Sequence, residues 1–576
     1  MAEERAGNIP RGVLSALVMV AARVVGSPLS KTSGELRAEP PDLLHAAPFP
    51  RFDAEALRLS LMLAFSGGGQ GGLFGEALDR AELAPSSFDP GAFASDLFLR
   101  NFVGLCCKVR VGQRDYPVAH QHLARLIASP PSDPRTIEFR RAILAELATS
   151  RQLREELEQL YVVLYRLRKI LESGSAEWDP NRRQMDILAA VKELVERMAD
   201  KFCAARSGLS RLAEFGARVK ASEAFRSLAD LIAYDEKLAT LELKVSVGAD
   251  GKIRAFKLLS VAENQTNPFV GSPAQRWLAR AELFLRGFSF SSGEVMARLI
   301  LAVFDGLEPV FPSFVGLLGD LEFYLGALGF ADFASSAGLP VCLPEFVTAE
   351  TPRVLDGLFN PLLLAHGIPP VPCDLTTDRH DTTVLVTGPN SGGKTRLLQS
   401  VALAQLLGQA GLFVPARVAK LTLASSLVVS LIQETKADQA EGRLGMELVR
   451  IRALFEHLPP GAMVMLDELC SGTNPSEGEE IFELVVQMLT RLRPQAFITT
   501  HFLAFASRLE SAGAIPELRF LQVSLGENHE PTYQFKPGVA KTSLAGHAAA
   551  RLGVTGEQLL ALVERNTRAL AAKREV

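Results

Sequence analysis

Residues 384–396 read V-L-V-T-G-P-N-S-G-G-K-T-R. Three β-favouring residues lead into a glycine-rich turn, and apolar residues then recur at helical spacing, at Leu397, Leu398, Val401 and Leu403. This pattern predicts a strand, a loop and a helix in that order.

The glycines of this turn have the G-x-x-x-x-G-K-[ST] spacing of a phosphate-binding loop, with the strand and helix that the motif requires. The backbone N–H groups of such a loop and the helix N-terminus face an anion, Lys394 reaches the β- and γ-phosphates, and Thr395 ligates Mg²⁺. An ordinary strand-to-helix turn is the alternative. The sequence predicts that ATP or a related nucleotide binds at the following residues: Gly388, Pro389, Asn390, Ser391, Gly392, Gly393, Lys394 and Thr395.

Two later apolar stretches end in polar side chains. Met463–Leu466 is followed by Asp467 and Glu468, which we expect to hold Mg²⁺ and to polarise the attacking water, respectively. Residues 496–500 lead to His501, a candidate sensor of the γ-phosphate, although a lone histidine is more often structural. Because parallel strands place their carboxyl ends at one sheet edge, these residues are expected near the glycine-rich loop. Glu468, His501 and Lys394 are the candidate catalytic residues.

The composition is that of a large globular protein. The chain has 576 residues, is 48% hydrophobic and carries a net charge of −4, so any contact with DNA must come from a local arginine cluster. The apolar stretch 13–25 is too short to span a bilayer and is expected to form a helix, and we predict a cytoplasmic protein with no membrane partner. The cysteines have no metal-ligand spacing and are expected to be buried thiols: Cys106, Cys107, Cys203, Cys342, Cys373 and Cys470.

The middle of the chain is predicted to be helical. Leucines recur at alternating spacings of 4 and 3 from Leu153 to Leu171, and a second such series runs from Leu188 to Phe202. In residues 241–255, apolar and polar residues alternate on both sides of the sequence G-A-D-G, and this pattern predicts a β-hairpin. Residues 295–331 are apolar and helical, but Asp305, Asp320 and Glu322 interrupt every window long enough for a membrane span.

The predicted architecture has three parts. Residues 1–115 form an N-terminal region of mixed helices and loops, and residues 116–350 form a helical core, lever and clamp with a small β-hairpin. Residues 351–576 form an α/β P-loop, ABC-like ATPase domain with a C-terminal helical tail. Candidate buried parallel strands in this last domain are 427–432, 462–466 and 496–499.

Four motifs together resemble the MutS family of DNA mismatch repair ATPases. They are T-G-P-N-S-G-G-K-T (387–395), L-D-E-L-C-S-G-T-N-P-S-E-G (466–478), T-T-H-F (499–502) and P-G-V-A-K-T-S-L-A-G-H-A-A-A-R-L-G (537–553). The Pro-Asn pair is more specific than the general loop motif. Residues 133–171 and 316–346 resemble more weakly the helical core and lever of this family.

The resemblance implies a homodimer formed through the ATPase domains, in which helical levers and clamp enclose duplex, mismatched or branched DNA. It implies that Asn390 contacts the phosphates and that Gly472, Thr473 and Asn474 lie on a loop that touches the partner subunit. The cofactors implied are ATP and Mg²⁺.

Three features depart from the family pattern. Gly442 and Arg443 stand where the family has a Ser-Thr pair, so the composite site is altered or inactive unless Arg443 supplies charge as an arginine finger does. About 130 residues precede the helical core, too few for separate mismatch-reading and connector domains, and no nuclease domain is expected after the C-terminal helix, 557–571. The triplet Phe74-Gly75-Glu76 resembles the family's base-stacking wedge, but such triplets arise by chance in this composition, and no DNA role is assigned.

Three functions are compatible with these residues. The first is a MutS-like ATPase that couples ATP hydrolysis to clamping of DNA in mismatch repair or recombination. The second is a nucleotide-gated interaction protein that acts on a protein partner without DNA. The third, the ATPase of an ABC transporter, lacks an L-S-G-G-Q-like signature before Asp467.

Overall fold

A computed structural model provides the coordinates. It describes residues 39–68, 71–174, 179–238, 242–247, 253–260, 292–431, 443–470, 474–527, 530–541 and 554–572. The predicted helix at 13–25 and the late-motif residues 542–553 lie outside this part.

The described helices are numbered in chain order. They are α1 (Ala54–Leu63), α2 (Leu73–Arg80), α3 (Leu99–Cys106), α4 (His120–Ala128), α5 (Pro134–Thr149), α6 (Arg151–Glu172), α7 (Pro180–Lys201), α8 (Ser210–Lys220), α9 (Glu223–Leu238), α10 (Ser292–Leu307), α11 (Phe311–Ser336), α12 (Pro361–Ala365), α13 (Lys394–Gln409), α14 (Arg443–His457), α15 (Pro475–Leu492), α16 (Leu503–Ala512) and α17 (Gly556–Ala572).

The described strands are numbered in the same way. They are β1 (Val109–Val111), β2 (Arg114–Tyr116), β3 (Glu242–Val247), β4 (Ile253–Ser260), β5 (Glu345–Phe346), β6 (Arg353–Leu358), β7 (Cys373–Thr377), β8 (Thr383–Thr387), β9 (Val418–Leu421), β10 (Leu427–Ser430), β11 (Met463–Leu466), β12 (Gln495–Thr499), β13 (Leu518–Leu525) and β14 (Pro531–Pro537).

The chain divides into two compact units. The first contains residues 1–83, 110–122 and 142–325, and the second contains residues 84–109, 123–141 and 326–576. The protein is mixed α/β, as the sequence predicts. The three domains proposed from the sequence stay a prediction.

The two heptad series form the core of the first unit. Every leucine of the first series is buried in α6, and the second series is buried in α7 and the residue after it. Ser150 caps α6, because its hydroxyl accepts the N–H of Leu153 at 3.3 Å. Asp179 caps α7 in the same way, accepting the N–H of Arg182 at 3.0 Å. The predicted pair of long helices is therefore confirmed.

The β-hairpin of this unit is also confirmed. Strands β3 and β4 pair antiparallel, with Val245 opposite Phe256. The predicted first residue, Leu241, and the turn 248–252 lie outside the described residues.

Two acidic residues of α11, Asp320 and Glu322, have partners inside the first unit. Asp320 accepts hydrogen bonds from the guanidinium of Arg51, including one of 3.1 Å, and Glu322 accepts one from the hydroxyl of Tyr161 at 3.3 Å. The stretch Leu299–Ser336 is long and apolar enough to cross a membrane by length and composition, and 56% of its most apolar window is buried. The polar partners are those expected of a core helix.

A six-stranded sheet organises the second unit, in the order β10-β11-β12-β8-β13-β14. The first five strands are parallel and β14 is antiparallel. The predicted strands at 427–432, 462–466 and 496–499 correspond to β10, β11 and β12, with Ile432 outside the described residues. Since β11 and β12 both lie on one side of β8, their carboxyl ends meet beside the loop that follows β8. A second sheet has the order β5-β9-β6-β7.

The cysteines are all free thiols. Four are buried and Cys342 is half-buried, but Cys203 is exposed. The prediction of a buried thiol is therefore wrong for Cys203, because this residue follows the end of α7, where the heptad series has ended and the chain turns toward solvent.

Candidate functional site

The loop after β8 depends on two glycines in positions that other residues rarely adopt. Gly388 has φ 146°, and a Cβ atom there would lie 2.6 Å from Cγ2 of Val523. Gly393 has φ 87° and is the N-cap of α13. Ser391 also has a positive φ, 66°. The loop therefore turns tightly before α13, and its backbone comes too close to β13 for a side chain at 388.

Lys394 is the first residue of α13 and its side chain is buried within the loop. Its Nζ donates to the carbonyl oxygens of Gly388 and Pro389, each at 3.1 Å. Burial lowers the pKa of Lys394, and the carboxylates of Glu468 and Asp467 oppose this effect. The ammonium thus lies where phosphate oxygens can replace the carbonyl acceptors.

A chain of hydrogen bonds joins the loop to the acidic end of β11. The hydroxyl of Thr395 donates to Oδ2 of Asp467 at 2.5 Å, and the hydroxyl of Thr499 donates to Oδ1 of the same carboxylate at 2.5 Å. The Thr499 oxygen in turn accepts the backbone N–H of Glu468 at 2.8 Å. Three elements, α13, β11 and β12, therefore meet at Asp467.

A cavity of about 690 Å³ lies over this junction. Its polar wall includes Asn390, Lys394 and Thr395 from the loop and helix, together with Glu468. Glu468 has a positive φ of 48°, an uncommon backbone conformation that directs the chain after β11. Lys394 and Glu468, two of the three candidate catalytic residues, thus border one cavity.

His501 is the third candidate, and it does not line this cavity. It is exposed beyond the end of β12, and its ring lies 4.2 Å from that of Phe502, centroid to centroid. Its backbone oxygen accepts the N–H of Leu503 at 2.9 Å at the start of α16. The sheet topology places it at the predicted edge, but its role at the γ-phosphate stays a prediction.

The residues at Asp467 suit a magnesium ion. A carboxylate and a hydroxyl face each other there, and Mg²⁺ prefers such oxygen ligands, with water completing its shell. Thr395 and Asp467 are the residues that would hold it. Among the described residues no cluster of three or more histidine, cysteine, aspartate or glutamate side chains offers another metal site.

Several cavity residues have no signal in the sequence. Asp96 and Phe98 lie far before the motifs along the chain, and Tyr533 lies between two of them, and yet all three line the same cavity. Tyr533 has a positive φ of 59°, and a Cβ atom on Gly393 would lie 3.2 Å from its ring. Only the fold brings these residues to the loop.

The structure describes only some of the other residues that the sequence analysis singled out. Gly442, Gly472 and Thr473 lie outside the described residues, as does the side chain of Arg443. Asn474 caps α15, because its side-chain oxygen accepts the N–H of Ser476 at 3.3 Å. The ring of Phe74 is fully buried in the first unit.

Comparisons with known proteins agree with the motifs. A family model described as MutS domain V matches residues 384–571. Endonuclease MutS2 of Streptococcus pyogenes serotype M49 is 29% identical over 264 residues, which are 45% of this chain and 32% of the relative. Endonuclease MutS2 of Levilactobacillus brevis is 31% identical over 193 residues, 33% of this chain and 24% of the relative. The chain thus covers a third or less of the length of these relatives.

Proposed function

Because this chain is a MutS-family protein, matched over residues 384–571 to the family's domain V, we propose that it is an ATPase with a P-loop, ABC-like ATPase domain. It hydrolyses ATP to ADP and phosphate. The observation that carries this proposal is the chain of hydrogen bonds from Thr395 through Asp467 and Thr499 to Glu468.

The residues of the loop bind and place the triphosphate. The backbone of 388–393 and the side chain of Asn390 surround the phosphates, and Lys394 supplies a positive charge to the β- and γ-phosphates. Thr395 and Asp467 hold Mg²⁺, which when bound offsets the negative charge of the phosphates.

Glu468 positions the attacking water and accepts its proton. Its backbone is held by Thr499, so its carboxylate is placed by the same network that places Asp467. His501, which follows the end of β12, acts as the sensor of the γ-phosphate. Phosphoryl transfer to water depends mainly on such placement and charge, which these residues supply within one subunit.

We propose further that this ATPase is cytoplasmic, forms a homodimer through its ATPase domains and handles DNA. Its relatives carry the name Endonuclease MutS2, and the paired helices α6 and α7 offer stiff elements for a lever. ATP binding closes the ATPase halves, and this closure is passed to a clamp on duplex, mismatched or branched DNA, in mismatch repair or recombination. Binding through the DNA backbone makes affinity fall steeply with salt.

The experiment measures steady-state ATP hydrolysis with and without DNA at low salt. We expect Lys394→Ala to lower the rate about 100-fold, the scale of losing one preorganised charge at a reacting group. Lys420→Ala is the control, because this lysine of the same unit lies on β9, with a side chain 40% exposed and paired with Glu345. Equal rates for Lys394→Ala and the parent would contradict the ATPase proposal.

Arg443→Ala tests the altered composite site. A loss as large as that of Lys394→Ala supports a charge supplied across the dimer, whereas an unchanged rate makes Arg443 a bystander. A parent that hydrolyses ATP but binds none of the three kinds of DNA contradicts the DNA proposal alone.

A nucleotide-gated interaction protein is the second candidate. The net charge of −4 favours it, since acidic proteins lack the overall positive field of many DNA-binding proteins. Purification under mild salt distinguishes the two candidates: nucleic acid supports the first, and a defined protein partner supports the second.

A further inference from the structure

A short segment far before the motifs reaches the nucleotide cavity. Asp96 and Phe98 line the cavity together with the loop residues, although they lie outside the stretch that matches the family model. They belong to residues 84–109, which are part of the second unit. The cavity is therefore built from two distant parts of the chain.

Asp96 holds this segment in place through two hydrogen bonds. Its carboxylate accepts the N–H of Leu431, the residue after β10, at 2.6 Å. Its backbone oxygen accepts the side-chain amide of Gln399 from α13 at 3.3 Å. Gln399 itself is almost fully buried. The position of the segment is thus set by the sheet and by the helix that follows the glycine-rich loop.

Phe98 has an unusual conformation for an aromatic residue. Its φ and ψ are 50° and 43°, the left-handed region, and it precedes the first residue of α3. Its backbone oxygen accepts the N–H of Phe102 at 3.0 Å, so the backbone starts the helix. Glycine would adopt this conformation without cost. The start of the helix therefore explains the backbone conformation but not the choice of an aromatic side chain at this residue, which is 42% exposed.

The residues that line the cavity are of two chemical kinds. Asn390, Lys394 and Thr395 are polar and lie where phosphates bind according to the proposed function. Phe98 is one of the apolar residues, which also include Ile368, Pro369, Val371 and Phe535. A nucleoside triphosphate has the same division, because its base and ribose present flat or apolar surfaces and its phosphates carry the charge.

We propose that Phe98 contacts the nucleoside part of the bound triphosphate and that Asp96 is its positioning residue. This inference rests on the proposed function and adds to it a contact from a segment outside the matched ATPase stretch. An exposed ring held in a costly conformation is the pattern expected where a ligand covers it.

The test compares two ligands by calorimetric titration of the full chain. ATP carries both parts of the ligand, whereas inorganic tripolyphosphate carries only the phosphates. We expect Phe98→Gly to weaken ATP binding about tenfold, which corresponds to about 1.4 kcal/mol, and to leave tripolyphosphate binding within about twofold of the parent. Because glycine suits the left-handed conformation, the melting temperature of the variant should be no lower than that of the parent. Weaker ATP binding by the variant would then not result from unfolding.

Two substitutions test the positioning role of Asp96. Asp96→Asn keeps a side-chain oxygen that accepts the N–H of Leu431 and should bind ATP like the parent. Asp96→Leu lacks that oxygen and should weaken the binding of ATP, again without weakening the binding of tripolyphosphate. Leu423→Ala is the control, since Leu423 is 37% exposed in the same unit and does not line the cavity.

The outcomes separate the two proposals. If Phe98→Gly binds ATP as tightly as the parent, or loses both ligands equally, the contact is wrong while the ATPase proposal stands. If Asp96→Leu binds ATP like the parent, Asp96 does not position the ring. If the parent itself binds neither ligand, the proposed function is wrong and this inference falls with it.

Discussion

Thr499 shows how much of the site depends on one hydroxyl. It is fully buried, donates to Asp467 and accepts from the backbone of Glu468. Asp467 also accepts from Thr395. A single side chain thus holds two carboxylate-bearing residues in register with the loop, although it has no reactive group of its own.

We expect Thr499→Val to lower kcat about tenfold with little change in KM. Valine has the same shape but no hydroxyl, so Asp467 and Glu468 lose their shared partner and the stability falls by about 1–2 kcal/mol. Steady-state kinetics and thermal melting measure the two effects. Thr490→Val is the matched control, because Thr490 is also buried but donates to a backbone oxygen within α15. A similar kcat for both variants would contradict the role of Thr499.

The raised pKa of Glu322 predicts that the stability of the protein depends on pH. Burial raises the pKa of this carboxyl from 4.5 to about 7, although the N–H of Ala119 donates to it at 2.8 Å. Between these two pKa values the folded state binds a proton that the unfolded state does not. The contribution of Glu322 to stability is therefore complete below pH 4.5 and is lost as the pH rises toward 7.

Glu322→Gln should remove this dependence. The glutamine stays neutral and keeps an oxygen for Ala119, so we expect its melting temperature to change less between pH 5 and pH 8 than that of the parent. The difference corresponds to at most about 3 kcal/mol, since one pKa unit is about 1.4 kcal/mol. Glu155→Gln, in an exposed ion pair with Arg151 on α6, serves as the control. Parallel melting curves for parent and Glu322→Gln across this range would refute the prediction.

At the level of elements, α6 and α7 are two long helices, of 22 residues each, in the first unit. Their buried series of apolar residues follows the alternating spacing of long packed helices. The ion pairs along them range from exposed, as that between Arg151 and Glu155 is, to partly buried, as that between Arg168 and Glu172 is, and exposed pairs contribute little individually. Apolar packing therefore stabilises these helices more than charge does.

Leu160→Ala should destabilise the protein by about 2–5 kcal/mol. The side chain is fully buried in α6, and its removal leaves a cavity that the neighbouring helices fill only in part. Gln159→Ala, at the adjacent exposed position, should change stability by less than about 0.5 kcal/mol. Urea unfolding followed by circular dichroism measures both. A small effect of Leu160→Ala would mean that the helices are loosely packed.

At the level of the whole molecule, the proposed dimer links ATP binding to assembly. We expect ATP with Mg²⁺ to shift the protein toward a dimer in sedimentation velocity experiments, because each site is completed by the partner subunit in this proposal. Binding of a ligand to the dimer alone raises its population by mass action. Lys394→Ala should abolish the shift. A sedimentation coefficient that is the same with and without nucleotide would contradict the dimer proposal.

The sequence by itself determined the local elements of this protein. Strand β8, the glycine-rich loop and α13 follow from the order of β-favouring residues, glycines and periodic leucines, and the heptad spacing predicts α6 and α7. These features depend on short-range geometry, so a local pattern is enough to identify them. The motifs also singled out Lys394 and Glu468 as candidates, and both lie within residues 384–571, which the family model matches.

Only the tertiary structure decided which residues meet. Asp96, Phe98 and Tyr533 line the cavity because the sheet order and the packing of residues 84–109 bring them there, and no spacing in the sequence encodes such long-range contacts. The same holds for Thr499, whose bridging role requires β11 and β12 to be neighbours. Local patterns specify backbone conformation, whereas a site is defined by the distances between side chains that are remote along the chain.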